Sequence, residues 1–96
     1  MNTNQLIKFI NENSEKRQGL LNLFSIDNAI KAIEIAKQNE INVLGIDAFR
    51  ITDTTICPFM EHSIDYSEKK NIFDDAISFI KERKDMNFLF EITFDF

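Results

Sequence analysis

The residue types able to do acid–base or metal chemistry are few, and most gather in one stretch. His62 is the only histidine of the chain; Glu61 precedes it and Asp65 follows three residues later. A Glu, His and Asp group has suitable donors to ligate a cation or relay a proton. Its spacing reproduces neither a structural zinc set nor the paired histidines of a metalloprotease helix, so no metal and no other cofactor is expected. The group reads instead as a partly exposed loop or interface cluster. Cys57 pairs formally with His62 as nucleophile and base. Its apolar neighbours on a short strand predict a buried, unreactive thiol. Gly45 lacks the glycine-rich surroundings of a phosphate cradle, and predicts a bulge or the close approach of a helix. Asp47 lies in an otherwise apolar run, where an unpaired charge costs on the order of several kcal/mol. It must hydrogen-bond a loop, face an open side of a sheet, or meet a partner.

Charge sharpens the choice between chemistry and binding. The net charge of −5 argues against direct contact with nucleic acid, whose affinity comes mainly from lysine and arginine on phosphates. Residues 53–68 hold Asp53, Glu61, Asp65 and Glu68 with no lysine or arginine, so most of that charge sits in one segment. Phe59 and Tyr66 flank the acidic positions, as aromatic anchors often do at interfaces. An acidic, aromatic-tipped surface suits a basic protein partner. No membrane contact is expected, because apolar runs are four residues or fewer. One cysteine allows no internal disulfide, and the first residues carry no secretory pattern, so the expected location is cytoplasmic.

The elements that must position these residues follow from periodicity. With 96 residues, 44% hydrophobic and 28% charged, the chain is expected to be one domain over residues 1–96. Leu6, Phe9 and Ile10 predict a short first helix, its end near Gly19 undefined. Ser25 and Asp27 open a second that runs to about Asn39, burying Ile26, Ala29, Ile30, Ile33 and Ala36. Residues 41–51 predict a central strand, and Ile56–Met60 its hairpin partner, which Pro58 restricts to an edge. Ser67 is expected to cap a third helix to about Lys84. Phe88, Phe90, Ile92, Phe94 and Phe96 alternate onto the core face of a last strand. The predicted fold is therefore α+β, in the order α-α-β-β-α-β. Its three-stranded, mainly antiparallel sheet has order 2-1-3, with helices on one face.

Val43-Leu44-Gly45-Ile46-Asp47-Ala48-Phe49, the return Ile56-Cys57-Pro58-Phe59 and the Asp65-Tyr66-Ser67 segment together resemble a family of bacterial immunity proteins, immunity protein forty, over about residues 25–84. Family members commonly carry a second glycine where Ile46 stands. The resemblance implies stoichiometric inhibition of a cognate toxin domain, with a basic nuclease as the class an acidic surface suits. The inhibitor itself would do no chemistry, and would be a monomer when free or a weak homodimer. Its expected partner-binding residues are Asp47, Asp53, Phe59, Glu61, His62, Asp65 and Tyr66. Two other readings remain: a regulatory or adaptor module, possibly dimerising through a sheet edge, and a small enzyme using Cys57, His62 and Asp47.

Overall fold

A computed structural model describes residues 3–14, 16–18, 21–52, 55–70 and 72–96. Helix α1 (Thr3–Asn13) docks through Leu6 and Ile10, with Phe9 packed beside them. Its last carbonyls are taken up locally: Ser14 Oγ donates to Ile10 O at 2.6 Å, and Asn13 Nδ2 to Phe9 O at 3.0 Å. A short hairpin follows, β1 (Lys16–Gln18) with β2 (Leu21–Leu23), which the periodicity of the sequence did not reveal. Phe24 then exchanges both backbone hydrogen bonds with Phe90, at 2.8 and 2.9 Å, tying this arm to the outer edge of the sheet.

Helix α2 (Ile26–Gln38) begins as expected: the Ser25 hydroxyl accepts from the Asn28 N–H at 3.4 Å, and Asp27 occupies the first turn. Ala29, Ala32, Ile33 and Ala36 are its buried face, three small residues that let the helix lie close to the sheet. The helix ends in a Schellman motif. Ile41 N–H donates to Ala36 O at 2.9 Å and Glu40 N–H to Lys37 O at 3.3 Å, with Glu40 held at φ 57°.

The three-stranded sheet has the order β4-β3-β5 and is antiparallel throughout, as the sequence predicts. Strand β3 (Val43–Ile51) is central; β5 (Phe88–Phe94) lies on one side and β4 (Ile56–Asp65), carrying Pro58, forms the free edge. Ile46, Ala48, Phe88, Phe90, Ile92 and Phe94 face the helices and form one core with them. Phe96 lies beyond the strand and is 59% exposed, against the expected core position.

Three further expectations are corrected in whole or in part. Helix α3 (Phe73–Lys81) starts six residues after Ser67, and its N-cap is Ile72, whose side chain gives no cap bond. It starts there because Ile72, Phe73, Ala76, Phe79 and Ile80 are the residues that reach the core, while Ser67 belongs to a preceding turn. The second strand runs to Asp65, so Glu61, His62 and Asp65 stand on a strand and not in a loop. Ile46 pairs with Ile64 and Ala48 with Phe59, leaving Met60, Glu61, His62 and Ser63 opposite Asp47 alone. This wide bulge is closed by Ser63 Oγ donating to Phe59 O at 3.2 Å. Gly45 stands at a bulge against β5, as expected, where Val43 pairs with Phe94 and Gly45 with Thr93; the close approach there is of strand backbone and not of a helix, since a Cβ would meet Ile64 O at 3.1 Å.

Candidate functional site

Asp47, the carboxylate that most needed an explanation, lies on the sheet face opposite the helices, since it alternates with Ile46 and Ala48. It is half-buried and stands directly across the ladder from Glu91. Glu91 holds its proton above the ordinary value of 4.5, first because it is partly buried, then because of the Asp47 charge and a hydrogen bond to that carboxyl. On the other side of Asp47 is the bulge. Asp47, Met60, Ser63, Ile64 and Asp65 line a shallow depression of about 180 Å³. Asp65 is fully exposed and ionised into more acid conditions than usual, because the Ser67 N–H donates to its Oδ1 at 2.8 Å and the Ser67 hydroxyl also bonds to it. Glu61 is exposed on the bulge, and Met60 beside it is 76% exposed.

The remaining expected contact residues divide. Phe59 is half-buried on the helix side, beneath the Arg50 guanidinium at 4.8 Å and against Phe88 at 5.5 Å. His62 is also half-buried: its ring lies 5.1 Å from that of Phe88, and its Nδ1 accepts from Arg83 Nε at 3.2 Å. Arg83 is fixed in turn by Phe79, whose carbonyl accepts from Nη1 at 2.8 Å and whose ring lies 3.6 Å from the guanidinium. This cation–aromatic group braces the bulge against α3. Tyr66 is not the exposed anchor expected of it: it is 5% exposed, and burial, followed by the Asp75 charge, raises its phenol. Cys57, expected to be buried, is exposed near the start of the edge strand. Asp53 lies outside the described residues.

The structure therefore joins Asp47, Glu61 and Asp65 around one bulge and adds Glu91 and Met60, which sequence reasoning did not single out. Alternation had put Glu91 on the wet face of the last strand, but only the strand register sets it opposite Asp47. Among the described residues, no three His, Cys, Asp or Glu side chains gather closely enough to hold a metal ion, and no helix is long and apolar enough to cross a membrane. No protein-family model matches the sequence, and no curated protein matches it. The likeness to immunity proteins rests on the residues quoted for it.

Proposed function

We propose that this protein binds and neutralises a basic toxin domain, covering it stoichiometrically and contributing no catalytic group. The observation that carries this reading is the bulge at Met60–Ser63, which sets Glu61 and Asp65 in solvent around a protruding methionine while Asp47 and Glu91 stand on the adjoining sheet face. Separated carboxylates around an apolar prominence can steer a cationic surface and then exclude water from the contact. A nuclease is the favoured toxin class, because a groove built for phosphates accepts such a pattern. The braced underside supports the reading as well, since a recognition strand fixed by His62 and Arg83 loses little freedom on binding.

Pairing through the β4 edge, as in a dimeric adaptor, is less suited to this strand. Pro58 and the bulge interrupt its outer ladder, and both are devices that discourage edge-to-edge association.

Co-expression tests the proposal. A toxin encoded beside this gene should arrest growth alone and be tolerated when this protein is present, while unrelated toxins remain lethal. The Cys57→Ala and His62→Ala variants should retain some protection; complete loss with a folded Cys57→Ala protein would favour a catalytic role instead.

A further inference from the structure

The wide bulge of β4 sets carboxylates in solvent and also lifts one sulfur out of the fold. Of the three methionines, Met1 lies outside the described residues, Met86 is 39% exposed and Met60 is 76% exposed. Met60 is the most exposed large apolar side chain among the described residues. Phe59 before it and Ile64 beyond it pack against the core, whereas Met60 does not. A thioether is soft and oxidisable, and its exposure governs how readily an oxidant reaches it. Hydrogen peroxide is small and uncharged, so Asp47 and Asp65, which line the depression together with Met60, do not repel it.

We propose that Met60 is a reversible oxidation site, and that its sulfoxide switches the tip of the bulge from apolar to polar. The thioether sulfur attacks one oxygen of a hydroperoxide, and the S–O bond forms as the O–O bond breaks. The hydroxyl now on sulfur gives its proton to the departing hydroxide, which leaves as water. Sulfur loses two electrons and the peroxide gains them. Two thiols of a methionine sulfoxide reductase return those electrons, ending as a disulfide and one water. The change is confined to the surface: a core methionine would lose its packing on becoming polar, but Met60 has no place in the core. A contact that excludes water would have to strip the hydrated sulfoxide, whereas the thioether needs no such step. This consequence rests on the toxin-binding reading. Glu61 and Asp65 still steer the partner after oxidation, so the weakening falls on dissociation more than on association.

The test treats the full chain and its Met60→Leu variant with graded hydrogen peroxide and maps the products by mass spectrometry. Met60 should gain oxygen at least about twice as fast as Met86, and methionine sulfoxide reductases A and B should remove it completely. The oxidised chain should keep its urea midpoint, with amide shifts confined to the bulge and its cross-strand neighbours. Cys57, also exposed on β4, meets the oxidant in both proteins, so the comparison with Met60→Leu separates its effect. Faster oxidation of Met86, a sulfoxide the reductases leave in place, or a destabilised oxidised fold would overturn the proposal. With a cognate basic toxin domain, oxidation should weaken the native protein by about tenfold or more, mainly through faster dissociation, and leave Met60→Leu unchanged. Equal affinity of the reduced and oxidised native protein would overturn the switch. The oxidation and its reversal are read with no partner present, so their failure and the failure of the reduced protein to bind a toxin are separate results.

Discussion

At the scale of single residues, the decisive feature is a carboxyl pair that the local pattern hid. Asp47 was conspicuous because it interrupts an apolar run, but Glu91 looked like any outward residue of an alternating strand. Their meeting depends on a register between segments more than forty residues apart, which no local periodicity encodes. The pair has a consequence for stability. A carboxyl whose folded pKa is raised stabilises the folded state fully below its unfolded value, and that contribution is lost as pH rises through the folded value. For Glu91 the loss begins near its ordinary 4.5 and continues upward. Glu91→Gln should therefore stabilise the protein at neutral pH, by about 0.2–1 kcal/mol for a like-charged cross-strand pair, and flatten this part of the profile. Urea unfolding of both proteins between acid and neutral pH measures it; equal slopes would show that the pair does not repel in the folded state. The tyrosine misled in the opposite direction. Tyr66 sits among polar residues in sequence, yet its backbone N–H donates to Leu44 O at 2.8 Å and its ring turns into the core.

At the scale of elements, most of the framework was legible because each piece repeats a signal. Helix α2 carries cap, dipole and apolar stripe together, and β5 alternates without interruption from Phe88 to Phe94. What escaped were features with one signal or none. Lys16-Arg17-Gln18 has no strand-like pattern, and its pairing comes from the partner segment. Ser67 looked like a cap, but its N–H serves the Asp65 carboxylate, and buried residues further along set the start of α3. The bulge in β4 also left no trace in sequence, although it turns an expected loop into a rigid strand. One element has a simple local flaw. Glu40 holds the left-handed position that closes α2, where a side chain costs energy and glycine does not. Glu40→Gly should raise stability by about 0.5–1 kcal/mol, visible as a higher Tm, since the Ile41 to Ala36 bond needs only that backbone conformation. A lower Tm would mean that the Glu40 side chain contributes more than its conformation costs.

At the scale of the whole molecule, helices occupy one side of the sheet, and the other side and its free edge carry the carboxylates. Chemistry-bearing residues are divided by this layering: His62 is committed to Arg83 and Phe88 beneath the bulge, while Asp47 looks out on the opposite face. A binding surface needs no convergence of such groups, only a shape and charge that match a partner. Equilibrium and kinetic binding to the proposed partner, a cognate basic toxin domain, with the native protein and with E61K/D65K at low and high salt, tests that claim most directly. The native pair should bind tightly, and the double variant should lose about 100-fold or more in affinity at low salt, largely through slower association. An unchanged dissociation constant, with native-like folding of the variant, would contradict the account by removing the acidic bulge from the contact.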